Sequence, residues 1–256
     1  MDEVKVDEPA PGVVRLRIDR PEKRNALSIA VRKRIVAELA RIDADPELHA
    51  AILAGGEKIF AAGADISELK GLTPVGMAAR GTDAMWDAIA GFSKPLIAAV
   101  RGVAFGGGFE LAMCCDMIVA GEGARFGLPE VRLGLIPGGG GTQRLIRLCG
   151  KHLAMDVLLT GRTLTGPEAE VRNVVSRCVP DAEVEDTAVA MAAAAAAMAP
   201  LAVRQAKEAA LRGADGPLPT GLALERKAIQ VLCGSADFAE GVEAFLEKRP
   251  ARFEGR

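Results

Sequence analysis

Residues Pro95 to Gly121 read PLIAAVRGVAFGGGFELAMCCDMIVAG, an apolar tract interrupted only by Arg101, Glu110 and Asp116. A strand, a turn, a helix and a second strand have this look when all four are buried together. PLIAAV is the first strand. Gly106, Gly107 and Gly108 then lead into a short apolar helix that carries Glu110 in its first turn. A glycine run at a helix start frees backbone N–H groups to point at a ligand oxygen, with the positive helix end behind them. The plainer alternative is a tight turn, with Glu110 merely favoured by the helix dipole. A carboxylate inside such a core still needs a partner or a task.

Upstream of this tract the same rhythm repeats. VVRLRI (Val13 to Ile18) and AAILAG (Ala50 to Gly55) read as strands, with helices expected from about Ser28 to Ile42 and from about Pro74 to Phe92. The Ser28 hydroxyl can cap free N–H groups after the apolar Leu27. Strands alternating with helices imply parallel pairing through helical crossovers, an α/β class. Pattern alone therefore predicts a doubly wound sheet. Two further glycine-rich segments stand where a strand or loop hands over to a helix. FAAGADISEL (Phe60 to Leu69) has small residues at Ala61, Ala62, Gly63 and Ala64. FGLPEVRLGLIPGGGGTQRL (Phe126 to Leu145) places Glu130 in a loop and Gly138 to Gly141 ahead of a helix.

After about Pro200 the signal becomes helix upon helix: PLAVRQAKEAALRG, LPTGLALERKAIQVLCG and SADFAEGVEAFLEKR, each closed by Gly, Pro or both. The chain divides accordingly into a core over 1–199 and a helical region over 200–256.

Composition narrows the function classes. Lys and Arg total 32 against 34 Asp and Glu, which gives no broad electrostatic reason to expect nucleic acid or an anionic membrane as partner. Cys114, Cys115, Cys149, Cys178 and Cys233 form an odd set without CxxC spacing, and the start MDEVKVDE is no signal peptide. These read as reduced thiols of a cytoplasmic protein. His49 and His152 are far apart without companions at ligand spacing, so no metal site is expected. The uncharged stretch Thr187 to Val203 is mostly alanine and broken by Pro200, a soluble helix with a small-residue packing face rather than a membrane span. PGGGGTQR lacks the Lys-Ser/Thr pair of a phosphate loop, neither glycine run fits G-x-G-x-x-G, and no G-x-S-x-G elbow exists.

Five blocks in order, RPEKRNALS (Arg20 to Ser28), FAAGADISEL, GGGFELAMCCDMIVA, FGLPEVRLGLIPGGGGTQRL and the ending DFAEGVEAFLEKRPARF, closely resemble the enoyl-CoA hydratase (crotonase) family over essentially the whole chain. The resemblance implies a spiral core of repeated β-β-α turns with a C-terminal helical region, and trimers often paired into hexamers. It implies reversible addition of water to a 2-enoyl-CoA, giving a 3-hydroxyacyl-CoA. Glu110 and Glu130 match the two catalytic carboxylates, the N–H groups of Ala64 and Gly107 match the oxyanion donors, and Gly138 matches a helix-start glycine beside the thioester. Ala62, Asp65 and Ile66 match the main-chain segment that meets the adenine. Lys23 and Arg24 are the local candidates for the phosphates, and Lys248 for a neighbouring subunit's CoA. Ser67 departs from the lysine common in relatives, at a position where the resemblance implies a phosphate contact. No cofactor is implied beyond the coenzyme A of the acyl-CoA substrate. The same scaffold serves enoyl-CoA isomerases and other acyl-CoA enzymes, and a non-catalytic acyl-CoA binder is the alternative from another class. Two glutamates favour the hydratase.

Overall fold

The computed structural model describes residues 3–256, so the first two residues of the MDEVKVDE start lie outside the description. The chain opens with β1 (Val4–Ala10) and β2 (Val13–Ile18), an antiparallel pair. It continues through β3 (Ala50–Ala54), β4 (Ile59–Ala61), β5 (Leu96–Val100), β6 (Val103–Phe105), β7 (Met117–Gly121) and β8 (Arg125–Gly127). Two short strands, β9 (Thr163–Thr165) and β10 (Arg177–Val179), complete the set.

These strands form two sheets, ordered β1-β2-β3-β5-β7-β10 and β4-β6-β8-β9. The doubly wound expectation is therefore corrected. A doubly wound sheet reverses its strand order at a switch point, whereas here β2, β3, β5 and β7 add side by side in parallel and in chain order. Each pair β3–β4, β5–β6 and β7–β8 lays one strand in each sheet before the chain turns back. That is the β-β-α spiral implied by the resemblance. The second-sheet strands of the spiral are only three residues long, too short to leave a periodic signal in sequence.

Every residue of β3 and β5 is buried, as expected when both faces of a parallel sheet are covered. One face packs Ala51, Leu53, Leu96 and Ala98 against Ile35 and Leu39 of α1 (Ile29–Ala44) and against the interior of the spiral. The other packs Ala50, Ile52, Ala54, Ile97 and Ala99 against Val184, Ala188 and Ala192. Those three lie on an alanine-rich helix, Val184–Ala196, whose small side chains let its axis approach the sheet. Among the described residues no single helix is long and apolar enough to cross a membrane.

α1 starts as expected, with Ser28 Oγ accepting the Val31 N–H at 3.2 Å. It is closed by Lys94, whose Nζ donates to Ile42 O at 2.5 Å and Asp45 O at 2.6 Å. The single helix expected from Pro74 to Phe92 is instead α2 (Pro74–Ala79) and α3 (Thr82–Ala90). Gly81 divides them at φ +60, a left-handed conformation that interrupts helical bonding. The spiral core then carries α4 (Gly107–Cys114) and α5 (Gly141–Cys149) at the glycine-rich segments. The last fifth is helical as read, with helices over Pro200–Ala214, Leu218–Leu232 and Ala236–Glu247. Lys207 ties the first of these to the core, donating to Asp116 Oδ2 at 2.7 Å and Lys94 O at 2.8 Å.

Candidate active site

The three glycine-rich segments, far apart in sequence, meet around one cavity of about 430 Å³. Close backbone contact brings them together. A Cβ added to Gly108 would lie 2.1 Å from Ala61 O, so only glycine lets α4 sit directly on the end of β4. A Cβ added to Gly107 would stand 3.6 Å from the Ala64 nitrogen, so the backbones of these two residues are neighbours. Both border the cavity. Gly107 opens α4, so its N–H has no carbonyl one turn back inside the helix. Neither it nor the Ala64 N–H donates to a protein acceptor among the described residues.

Glu110, in the first turn of α4, is only 3 % exposed. Its Oε1 accepts the Gly139 N–H at 2.7 Å and the Gly141 N–H at 2.8 Å, so the glycine run ahead of α5 grips the carboxylate. Burial raises its pKa, while these backbone donors and the Arg32 charge pull it back. Gly138, expected at a helix start, lines the cavity three residues ahead of the first helical residue, Gly141.

Glu130 sits in a short turn, Pro129–Leu133, between β8 and α5. It is half-buried at the same cavity, and its Oε2 is enclosed with no hydrogen-bond partner. Burial, seconded by the nearby Glu110 charge, pushes its pKa up to about 7 against the opposing pull of its own backbone N–H. Two carboxylates therefore face one space in unlike settings, one held by amides and one bare. That arrangement can hold a water between a carboxylate and a carboxylic acid.

Ala62 and Ile66 line the cavity with Ala64. Asp65 turns elsewhere, with its Oδ1 accepting the Ser67 hydroxyl at 2.6 Å and the Ser67 N–H at 3.2 Å. The Ser67 hydroxyl contact does most to hold the Asp65 carboxyl below its usual range. Ser67 thus stabilises its own short turn. Lys23 and Arg24 are exposed and do not border the cavity, but the Arg24 carbonyl accepts the Ala62 N–H at 3.2 Å, which sets both beside that segment. Lys248 is exposed at the end of the last helix.

Sequence reading missed two cationic residues of the cavity wall, Arg32 on α1 and Arg80 at the end of α2, the second of which pairs with Glu68 at 2.7 Å behind it. Trp86 on α3 belongs to the same wall, with the Arg32 guanidinium carbon 5.3 Å from its ring centre. Only an arginine on the buried stripe of an amphipathic helix marks such a residue in sequence.

The family profile described as enoyl-CoA hydratase/isomerase matches residues 8–256. A 2,3-dehydroadipyl-CoA hydratase of Escherichia coli is 42% identical over 247 residues, covering 95% of this chain and 96% of that one. A probable enoyl-CoA hydratase of Rhizobium meliloti is 45% identical over 239 residues, 93% of each chain. The crystal structure of an enoyl-CoA hydratase from Bacillus anthracis superposes with a TM-score of 0.95 at 36% identity, covering 100% of both chains. Similarity of this extent in sequence and fold leads to one assignment: the chain belongs to the enoyl-CoA hydratase/isomerase family.

Proposed function

We propose that the chain is an enoyl-CoA hydratase that adds water reversibly across the 2,3 double bond of a 2-enoyl-CoA. The observation that carries this reading is the facing of Glu110 and Glu130 across one cavity beside the two unengaged amides of Ala64 and Gly107. Hydration sends negative charge onto the thioester oxygen, and two fixed N–H donors stabilise that charge more than the ground-state carbonyl. Glu110, held by its amide donors, orients the water and receives its proton as the oxygen attacks Cβ. Glu130, the carboxyl with the higher affinity for a proton, delivers one to Cα. The pair shares its protons, so roles exchange in the reverse direction.

Ala62 and Ile66 form the wall along which the adenine end of CoA lies, with Asp65 shaping the turn and Lys23 and Arg24 at hand for the phosphates. Gly138 borders the thioester. The substrate brings the coenzyme A, and the reaction needs no further cofactor. The region over 200–256 is the oligomerisation part of a trimer or dimer of trimers. Exposed Ile229, Val231, Phe245 and Leu246 support that role. Expected outcomes are decay of the enoyl-thioester absorbance when the protein meets crotonyl-CoA or a longer 2-enoyl-CoA, and a mass above the monomer in light scattering. No decay with any chain length, together with tight CoA binding, would convert the protein into a binder.

A further inference from the structure

Arg32 lies one turn into α1, is 7 % exposed and borders the cavity. Its guanidinium makes no hydrogen bond or ion pair with any described residue beyond lying over Trp86, and its Nε is enclosed without an acceptor. The second arginine of this wall is differently placed. Arg80 Nη1 donates to Glu68 O at 2.8 Å and its Nη2 to Glu68 Oε2 at 2.7 Å. Glu68 is further occupied by the Ile29 N–H, 3.2 Å from its Oε1. Glu110, the other carboxylate near enough to act on Arg32, spends its Oε1 on Gly139 and Gly141. Burial, followed by the Arg80 charge, lowers the Arg32 pKa more than Glu68 and Glu110 raise it.

A guanidinium offers five donors and keeps its proton, so enclosing one without an acceptor is costly. Its planar fork fits a carboxylate in bidentate fashion. The amides of Ala64 and Gly107 border the same cavity as Arg32, so an acyl group whose thioester oxygen meets those amides extends into a space walled partly by this cation. Building on the hydratase reading above, we propose that Arg32 is a specificity residue that receives a carboxylate at the far end of the acyl chain. The preferred substrate class is then a 2-enoyl-CoA with a terminal carboxyl group. An alkyl end would leave the guanidinium stripped of water and unpaired, and a site built for a polar group discriminates strongly against an analogue that lacks it.

The test compares two unreactive ligands of equal length, adipoyl-CoA and hexanoyl-CoA, by calorimetry on the full-length protein. Wild type is expected to bind adipoyl-CoA at least ~10-fold more tightly, the range of a charge-assisted hydrogen bond. Arg32→Leu is expected to abolish that preference while leaving hexanoyl-CoA affinity equal or improved, and Arg32→Lys to keep part of it. Because the wild-type comparison stands without any variant, a misfolded variant does not protect the idea. Equal or tighter wild-type binding of hexanoyl-CoA overturns it, as does a preference that survives Arg32→Leu. Equal weakening of both ligands in the variant would place Arg32 against the CoA phosphates and overturn it too. Turnover of 2-hexenedioyl-CoA and 2-hexenoyl-CoA is followed separately. Failure to hydrate either, with the binding preference intact, removes the hydratase reading and leaves the carboxylate subsite standing.

Discussion

The Gly139 amide donates to Glu110 Oε1 at 2.7 Å, so the loop ahead of α5 fixes a carboxylate carried by α4. The other side of Gly139 is closed by Trp86, since an added Cβ would lie 2.5 Å from its Cε2. The indole therefore presses the loop against Glu110, with Arg32 stacked on the indole in turn.

Gly139→Ala should push Trp86 out of place and lower stability by roughly 1–3 kcal/mol, the usual cost of overpacking a filled interior. It should also reduce turnover by moving the Glu110 donor. Gly138→Ala is the control, because a Cβ there meets nothing within 4 Å. Urea unfolding of both variants checks this: a Gly139→Ala midpoint equal to wild type would show that the loop is not held by the indole.

Glu130 should leave a mark on the pH dependence of stability. Its folded pKa is pushed up to about 7, while the unfolded chain releases the same proton near 4.5. Between those values the folded state binds more protons than the unfolded one, so the contribution of this group to stability falls as pH rises. Glu130→Gln should therefore be more stable than wild type at pH 8, by roughly 1–2 kcal/mol once solvent access to this half-buried group is allowed for. The difference should vanish by pH 4. Unfolding curves at the two pH values measure it, and an unstabilised variant at pH 8 would mean that the folded site does not raise the pKa of Glu130.

The long buried strands were legible because Ala50–Ala54 and Leu96–Val100 lie wholly inside, and unbroken apolar runs between turn residues announce such strands. The order in which strands stack is a long-range property, so pattern reading chose a doubly wound sheet where a spiral exists. Gly81 was hidden as well, since an isolated glycine in a helical pattern does not declare a positive φ. In the site, Glu110 stood out as a carboxylate inside an apolar, glycine-rich tract, whereas Glu130 in its loop was marked only by its match to the family's second carboxylate. Arg32 did not stand out, because its place on the Val31, Ile35 and Leu39 stripe of α1 marks it as inward-facing but says nothing of the cavity that distant segments build beside it.

Gly107 and its neighbour Gly106 should respond differently to substitution. Gly107 is the first residue of α4, where a proline's missing N–H breaks no helical bond. Gly107→Pro should therefore fold yet lose one oxyanion donor, with turnover falling on the order of a hundredfold or more. Gly106 has φ +51, and an added Cβ would lie 2.8 Å from Glu130 Oε1. Gly106→Ala should accordingly lower stability as well as turnover. Circular dichroism with steady-state hydration assays distinguishes the two, and near-normal turnover in a folded Gly107→Pro would remove that amide from the site.

The two carboxylates decide between hydration and double-bond migration. Replacing Glu110 or Glu130 by Gln keeps shape but abolishes proton transfer there, so each change should cost roughly 10²- to 10⁴-fold in hydration turnover, with a much smaller effect on binding. The Glu110→Gln variant retains a side-chain carbonyl oxygen for the Gly139 and Gly141 donors, which preserves the loop and isolates the loss of the base. If the pair acts on one water, the double variant should lose far less than the product of the single losses, since the second removal finds little concerted catalysis left. An isomerase would shuttle one proton between carbons through a single carboxylate. Assays of both single variants on 2-enoyl and 3-enoyl thioesters therefore separate the reactions: if only one glutamate matters and wild type prefers the 3-enoyl compound, the protein is an isomerase and the hydratase proposal is wrong.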